Sequence, residues 1–346
     1  MIEVDGSKKS GSGTILRTSV ALSAVTGQPL HIYNIRQRRP GPGLKPQHLE
    51  AVLTAAKICN AEVKGAELKS RELWFTPKRT KSGSVVAEIG TAGSIPMLLM
   101  TVLPICAYAE QPICLDVFKG GTDVSNSPTI NYIRFVLLAT LKRMGLKASL
   151  IVEKYGYYPK GMGHVTMTVE PSTPLKPILL ESFGALKSVG GISVCTFLAD
   201  RKVAERQAKA AMEHLTQKGI VVSDIQIVND QSNPMQKGSS LVLWAETDAC
   251  ATLGADAIGR LGKPSESVGE EAAEKLQTET SAKATVDLHL ADMLIPYMAL
   301  ARGRSAYLTR GLSEHLETNI WLAEELLNVR FTVEKDDRLY RVEKVS

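Results

Sequence analysis

The sequence is poor in cysteine and in aromatic residues. Its 346 residues contain five cysteines, at positions 59, 106, 114, 195 and 250, and aromatic residues make up 5%. The cysteines are odd in number and never spaced Cys-x-x-Cys, which argues against a disulfide framework and a cysteine zinc site. They indicate a reducing, cytoplasmic compartment. The scarcity of aromatics argues against a stacking platform for single-stranded nucleic acid.

Long apolar runs are also missing. None reaches the roughly 18 residues that a membrane helix needs, and the longest, Ile95–Ala109, contains two prolines. The N-terminus has no basic segment followed by an apolar one, so no signal peptide is expected. No His-x-x-x-His pair and no Gly-x-Ser-x-Gly segment is present, which argues against a histidine zinc site and a serine hydrolase.

The remaining composition is typical of a globular protein with more than one domain's length of chain. Hydrophobic residues make up 44% and charged residues 22%. Lysine and arginine number 41 against 36 aspartate and glutamate residues, a formal charge of +5. This mildly basic balance is compatible with an anionic partner.

A helix followed by two strands recurs along the chain. Apolar spacing of i, i+3, i+4 and i+7 predicts each helix, and alternating segments predict the strands. The predicted helices are 47–59, 130–144 and 314–327, and the strand pairs that follow them are 61–65 with 72–77, 147–154 with 164–170, and 329–334 with 339–345. Such helices and hairpins predict an α+β fold in which three repeated helix–sheet units form a large domain.

The spacing of these units predicts an insertion. The helices begin at residues 47, 130 and 314, so the second spacing exceeds the first by about 100 residues, the size of a small domain. We therefore predict a smaller α/β domain inserted over 179–279, after a proline-rich linker at 171–177. The large domain then comprises 1–178 and 280–346. Within the insertion, strands are predicted at 192–198, 220–228 and 240–246, and helices at 201–218 and 265–277.

Two N-terminal segments carry chemistry suited to phosphate. The glycine-rich stretch 5–13 opens a predicted helix over 15–25, where backbone amides and the helix N-terminus favour an anion, and Arg17 lies one turn inside. The segment 34–48 follows, and its four cations within ten residues are Arg36, Arg38, Arg39 and Lys45. Arginine binds phosphate in a bidentate manner, and three prolines stiffen this loop. A flexible turn and a solvated basic loop are the alternatives.

A series of short segments runs in order along nearly the whole chain. They are Val4-Asp-Gly, Ile15-Leu-Arg-Thr, Asn34-Ile-Arg, Pro42-Gly-Leu-x-Pro-Gln-His-Leu, Gly90-Thr-Ala-Gly-Ser, Gly120-Gly-Thr-Asp, Gly156-Tyr-Tyr-Pro-Lys-Gly, Val268-Gly-x-Glu-Ala-Ala, Leu290-Ala-Asp, Met298-Ala-Leu-Ala and His315-Leu-x-Thr-Asn-Ile. Together these segments resemble the RNA 3′-terminal phosphate cyclase family. The fold of that family is three repeats of a helix–sheet unit with an inserted domain, which agrees with the spacing.

The resemblance implies an ATP-dependent enzyme of the ligase class, which converts an RNA 3′-terminal phosphate into a 2′,3′-cyclic phosphate through a covalent histidine–AMP intermediate. His315 matches the nucleophile, and neutral imidazole is nucleophilic near neutral pH. ATP, with GTP as an alternative, and a divalent cation, Mg²⁺ or Mn²⁺, are the implied cofactors. RNA with a 3′-terminal phosphate is the implied partner. The residues implied to bind the nucleotide are Arg17, Arg36, Arg39, Gln47, His289, Leu290, Ala291 and Asp292, and Asp292 is expected to orient His315.

Some positions depart from the usual residues of the family. The glycine loop reads Lys9-Ser-Gly-Ser-Gly-Thr14, so Ser10 stands at an acidic position associated with metal, and the metal ligands are not identified. Met100 and Met293 replace glutamines, and His289 replaces a tyrosine. The main alternative is a non-catalytic RNA-binding relative acting in ribosome assembly. An enolpyruvyl transferase shares the repeat fold, but its own segments are absent.

Overall fold

The chain begins with a strand–helix–strand–helix–hairpin unit. The computed structural model describes residues 1–79 and 83–345. The first unit consists of β1 (Ile2–Asp5), α1 (Gly13–Thr26), β2 (Leu30–Tyr33), α2 (Pro46–Cys59), β3 (Glu62–Lys64) and β4 (Leu73–Thr76). Its sheet has the order β1-β2-β4-β3, with β1 parallel to β2 and the other pairs antiparallel.

The second unit repeats this succession. It consists of β5 (Gly83–Glu88), α3 (Ile95–Ala107), β6 (Ile113–Gly120), α4 (Ile130–Tyr132), α5 (Leu138–Arg143), β7 (Lys147–Lys154) and β8 (Gly163–Glu170). Its sheet order, β5-β6-β8-β7, is equivalent to that of the first. A π-helical segment, Ile133–Leu137, joins α4 to α5. The single helix predicted at 130–144 is therefore continuous but widened by one π segment.

A fourth sheet is built after the first strand of the third unit, β9 (Leu179–Leu180). Its elements are β10 (Leu186–Thr196), α6 (Val203–Gln217), β11 (Asp224–Asp230), β12 (Gly238–Thr247), β13 (Thr252–Ile258) and α7 (Ser265–Ala282). The strand order is β11-β10-β12-β13. We call β10 to α7 the inserted segment.

The chain then completes the third unit. Its remaining elements are α8 (Leu288–Leu300), β14 (Ser305–Thr309), α9 (Glu314–Leu327), β15 (Phe331–Asp336) and β16 (Leu339–Lys344). The sheet order, β9-β14-β16-β15, again matches that of the first two units. The predicted fold class, three repeated helix–sheet units with a smaller inserted α/β part, is confirmed.

The inserted segment leaves and re-enters the third sheet at neighbouring points. Leu179 and Leu180 pair in parallel with Ala306 and Tyr307 of β14, and the Thr285 hydroxyl donates to the Leu180 carbonyl at 2.8 Å. Leu179 and Leu180 therefore belong to the third sheet, although the predicted boundary assigns them to the insertion. The domain division at 179–279 stays a prediction.

The helices form the centre of the repeat-built part, and the sheets lie outside them. Helix α1 buries eleven residues and packs on α2, α3 and α9. In β5, Val85 and Ala87 are buried whereas their neighbours are exposed, as expected for a sheet with one face on helices and one in solvent. No helix in the described part of the chain has the length and apolar character to cross a membrane.

Candidate active site

A cavity of about 1000 Å³ lies where the three repeated units and the inserted segment meet. The start of α1, the loop before α2, and the starts of α3 and α9 all contribute to its lining. Helix α8, the loop at 124–128 and the stretch from the end of β13 into α7 also line it. Of the predicted site residues, those that line it are Arg17, Arg36, Arg39, Gln47, His289, Asp292 and His315.

His315 is the second residue of α9. Ser313 caps this helix, and its hydroxyl accepts a hydrogen bond from the Leu316 amide at 2.9 Å, the geometry expected of a serine N-cap. The imidazole is partly exposed to the cavity. Burial, followed by the positive charges of Arg17 and Arg39, lowers the pKa of His315 below its usual value. The ring is therefore neutral at physiological pH.

Thr14 holds the imidazole from the side of α1. Nδ1 of His315 lies 3.1 Å from Thr14 Oγ1, and Arg17 Nη2 donates to the same oxygen at 3.2 Å. When Nδ1 carries the proton, the Thr14 oxygen accepts both bonds and Nε2 keeps its lone pair. Nε2 makes no hydrogen bond among the described residues. The contact is compatible with the tautomer in which Nε2 is the nucleophile.

The serine-containing glycine loop packs against α9. Ser12 caps α1 by accepting from the Thr14 amide at 3.2 Å. The Ser10 hydroxyl lies 3.0 Å from that of Ser12 and accepts from the Thr318 hydroxyl at 3.0 Å. A Cβ on Gly13 would lie 2.3 Å from Nε2 of His48, so only glycine fits here. The loop therefore joins the start of α1 to α9 and sets the distance between Thr14 and His315.

The three predicted arginines have different environments. Arg17 is partly buried, and burial together with Arg36 lowers its pKa to about 10. Arg36 is buried, and its Nη1 donates to the carbonyls of Gly41 and Gly43 at 2.7 and 2.8 Å, so it stabilises the proline-rich loop from inside. Arg39 is exposed, and its guanidinium has no partner in the described part of the chain. The lining is strongly cationic on this side.

Gln47 and His48 begin α2, where Pro46 occupies the first turn. Gln47 Oε1 accepts from the Ser94 amide at 2.8 Å, which ties α2 to the start of α3. His48 is 5% exposed, and Nδ1 of its ring finds no hydrogen-bond partner among the described residues. Burial and the neighbouring cations lower its pKa to about 2. The sequence alone does not predict this role of His48, since a motif position does not show burial.

Asp292 contacts the cap of α9 rather than the imidazole. Its Oδ1 accepts from the Ser313 hydroxyl at 2.5 Å, and its carbonyl accepts from Asn319 Nδ2 at 2.7 Å. Burial raises its pKa to about 6. In the described residues no hydrogen bond joins Asp292 to His315. Any orienting effect on His315 therefore passes through the start of α9.

Asp287 fixes the start of α8. Its carboxylate accepts from the amides of His289 and Leu290 at 2.9 and 3.0 Å, which caps the helix. His289 lines the cavity and meets Tyr132 edge-to-face at 6.2 Å. Leu290 and Ala291 are buried in the core instead, because consecutive residues of a helix point in different directions. Of the predicted segment 289–291, only the histidine side chain reaches the cavity.

The inserted segment supplies cations that are not among the predicted site residues. Arg260, Lys263 and Lys275 line the cavity together with Glu271. Glu271 forms ion pairs with both lysines. The three cations carry no local motif, so only the tertiary structure reveals them.

The carboxylates of the cavity do not form a metal site. Across residues 1–79 and 83–345, no three His, Cys, Asp or Glu side chains group as metal ligands. Asp256 accepts from the Thr129 amide at 2.8 Å, Asp292 from Ser313, and Glu271 pairs with lysines. The residues present do not fit a resident divalent cation, and the predicted Mg²⁺ or Mn²⁺ stays a prediction.

The comparisons with known proteins agree with this architecture. The model of the RNA 3′-terminal phosphate cyclase family matches residues 8–333. The chain therefore belongs to this family of enzymes, and the resemblance drawn from its motifs is confirmed.

Relatives from several archaea carry the same name. The RNA 3′-terminal phosphate cyclase of Pyrobaculum aerophilum is 46% identical over 344 residues, which covers 99% of this chain and 97% of the relative. The one from Pyrococcus furiosus is 44% identical over 96% of this chain and 95% of its own length. The one from Methanosarcina barkeri is 42% identical over 99% of both. The similarity thus includes the inserted segment.

Proposed function

We propose that this protein is an ATP-dependent RNA 3′-terminal phosphate cyclase that works through a covalent adenylate on His315. The observation that carries the proposal is a neutral imidazole, held through Nδ1 by Thr14, at the edge of a cavity lined by arginines. Family membership and the names of the relatives support the same activity.

The first step would attach AMP to the histidine. The lone pair of His315 Nε2 attacks the α-phosphorus of ATP, a phosphorus–nitrogen bond forms, and the bond to pyrophosphate breaks. The proton on Nδ1 stays in its contact with Thr14. Arg17 and Arg39, both in the lining, would neutralise the charge that develops on the phosphate oxygens and on the leaving group.

The second stage would move AMP to the RNA. An oxygen of the RNA 3′-phosphate attacks the same phosphorus and frees the imidazole, which leaves the terminal phosphate activated by a bridge to AMP. The neighbouring 2′-hydroxyl then attacks that terminal phosphorus, loses its proton and expels AMP. Attacker and target share one ribose, so little entropy is lost in this cyclisation.

Labelling with ATP tests the proposal. Incubation with ATP labelled at the α-phosphate, followed by a denaturing gel, should leave acid-labile label on the chain. His315→Ala should abolish it, since no other nitrogen takes its place. His214→Ala is the matched control, because His214 lies on α6 against Gln277, outside the cavity lining, and this variant should keep the label.

The alternative is a non-catalytic RNA-binding relative. The hydroxyl groups of Ser10 and Ser12 in the glycine loop bond to each other and to that of Thr318 on α9, so fewer polar groups remain there for a nucleotide. Under this alternative, the wild-type protein takes up no label at any Mg²⁺ or Mn²⁺ concentration yet still binds RNA. Such a result would overturn the proposed activity.

A further inference from the structure

A short exposed loop of the inserted segment forms one side of the cavity mouth. It comprises residues 259–264, between β13 and α7, and we call it the insert loop. Arg260 is exposed and Leu261 is fully exposed, whereas Lys263 is partly buried. Arg260 and Lys263 line the same cavity as His315. The loop thus presents positive charge to whatever enters the cavity, whereas its apolar Leu261 side chain lies in solvent.

Hydrogen bonds hold the insert loop in a fixed position against the repeat-built part. Just before the loop, Asp256 Oδ2 accepts from the Thr129 amide at 2.8 Å. Earlier in β13, the Gly254 amide donates to Asp287 at 2.8 Å, and Asp287 is the residue that caps α8. Helix α8 carries His289 into the cavity. The position of the loop is therefore tied to the helix that carries predicted nucleotide-site residues.

The residues of the inserted segment that line the cavity carry an excess of positive charge. Lys263 and Lys275 both pair with Glu271, and Lys275 also donates to the Asp256 carbonyl at 2.8 Å. The Arg260 guanidinium has no hydrogen bond or ion pair with any residue in 1–79 or 83–345. In this part of the lining three cations, Arg260, Lys263 and Lys275, stand against two carboxylates, Asp256 and Glu271, and the unpaired arginine leaves charge available for an anionic ligand.

We infer that the insert loop binds backbone phosphates of the RNA strand beside its 3′ end, with Arg260 as the principal contact. The inference rests on the proposed function and extends it to the inserted segment. The arginines near His315 already suit a triphosphate, and a mononucleotide carries its phosphates at one end. An RNA strand carries one phosphate per nucleotide and must pass from the cavity to solvent. An exposed arginine at the mouth meets that chain, and such contacts position nucleic acid without reading sequence.

Direct RNA binding tests the inference. The probe is a short RNA with a 3′-phosphate and a 5′ fluorophore, and its dissociation constant is measured by fluorescence anisotropy without ATP at several salt concentrations. Arg260→Ala should weaken binding about fivefold or more and reduce the salt dependence of log Kd by about one. Arg201→Ala is the matched control: Arg201 is also an exposed arginine of the inserted segment, but it lies outside the cavity lining.

A second readout separates this inference from the proposed function. Labelling of His315 by ATP in the absence of RNA should be the same in Arg260→Ala and in the wild type. Unchanged RNA affinity in Arg260→Ala would overturn the role of the loop. So would an equal loss in both arginine variants, or a labelling defect without an RNA defect, which would assign Arg260 to the nucleotide. If the wild type takes up no label, the proposed function fails, while the anisotropy result still decides whether the loop binds RNA.

A nucleoside 3′-phosphate sharpens the result. It carries the terminal phosphate but no backbone phosphate on its 5′ side, so it should compete equally well with the RNA probe for Arg260→Ala and for the wild type. A competition constant that changes as much as the RNA affinity would place Arg260 at the terminal phosphate and contradict the inference.

Discussion

Two histidines begin two helices of the same cavity, and they differ in access. His48 on α2 and His315 on α9 both line it, and burial together with Arg17 lowers the pKa of both rings. His48 is enclosed and its Nδ1 has no partner in the described part of the chain, whereas His315 is partly exposed and its Nδ1 meets Thr14. The comparison shows that a neutral imidazole becomes a candidate nucleophile only when one nitrogen is held and the other is accessible.

The largest difference between the two histidines should appear in stability. His48→Ala should lower the free energy of unfolding by about 2 kcal/mol at pH 7, because it removes a buried, packed ring. His315→Ala should lower it by less than about 0.5 kcal/mol, since that ring is partly exposed. Urea unfolding followed by circular dichroism measures both. Equal losses would contradict the assignment of His48 to packing.

Acidification should reduce the difference in stability between the wild type and His48→Ala. The unfolded chain binds a proton at His48 below pH 6.5, whereas the folded protein resists it until about pH 2. Because of His48, the free energy of unfolding of the wild type therefore falls by about 1.4 kcal/mol per pH unit below pH 6.5. Above that pH the full stability is present. His48→Ala lacks it, so at pH 5 the variant should approach the wild type by about 2 kcal/mol. An unchanged gap would show that His48 is protonated in the folded state.

Removal of the hydrogen bond between Thr14 and His315, which has no counterpart at His48, should have the next largest effect. Thr14→Val removes the oxygen that meets Nδ1, and labelling by ATP should slow about five- to tenfold, as expected for the loss of one hydrogen bond worth about 1 kcal/mol. Thr14→Ser restores the hydroxyl and should recover most of the rate. A rate in Thr14→Val equal to that of the wild type would mean that Thr14 does not orient the ring.

The smallest effect should come from the individual cations that lower the pKa of each ring. Arg39 contributes to the lowered pKa of His315 but not to that of His48, and Lys45 does the reverse. Arg39→Met should raise the pKa of His315 toward its usual value, because it removes one of the positive charges that lower it, and Lys45→Met should leave it unchanged. Proton NMR titration of the imidazole, carried out without nucleotide, gives the value. If Lys45→Met shifted the pKa of His315 as much as Arg39→Met does, the lowered pKa could not be assigned to Arg39 in particular.

The repeated units could be predicted because their signals are local. Apolar spacing along α2 and α9, and the alternation in β8, are visible in the sequence itself. Strand β13 (Thr252–Ile258) was missed because nearly all of its residues are buried, so no alternation marks it. The π segment in the second unit and the extension of α7 to Ala282 likewise depend on packing that a periodic pattern does not encode.

The candidate site was predicted only in part for a related reason. Motif positions led to His315 and the arginines, and the structure brings these to one cavity. They could not show that Asp292 bonds to Ser313, because that contact joins α8 to the cap of another helix. Nor could they show Arg260, whose place depends on the bond between Asp256 and Thr129.

The hydrogen bond between Thr285 and Leu180 has a consequence for how such a protein changes over time. The points at which the chain enters and leaves the inserted segment lie side by side. The third sheet therefore keeps its strand order whatever the length of the inserted segment. A module attached at one point can be lengthened, shortened or exchanged without rethreading its host. The third repeat thus offers a natural location for new specificity, while His315 and the three arginines of the predicted site come from the repeated units.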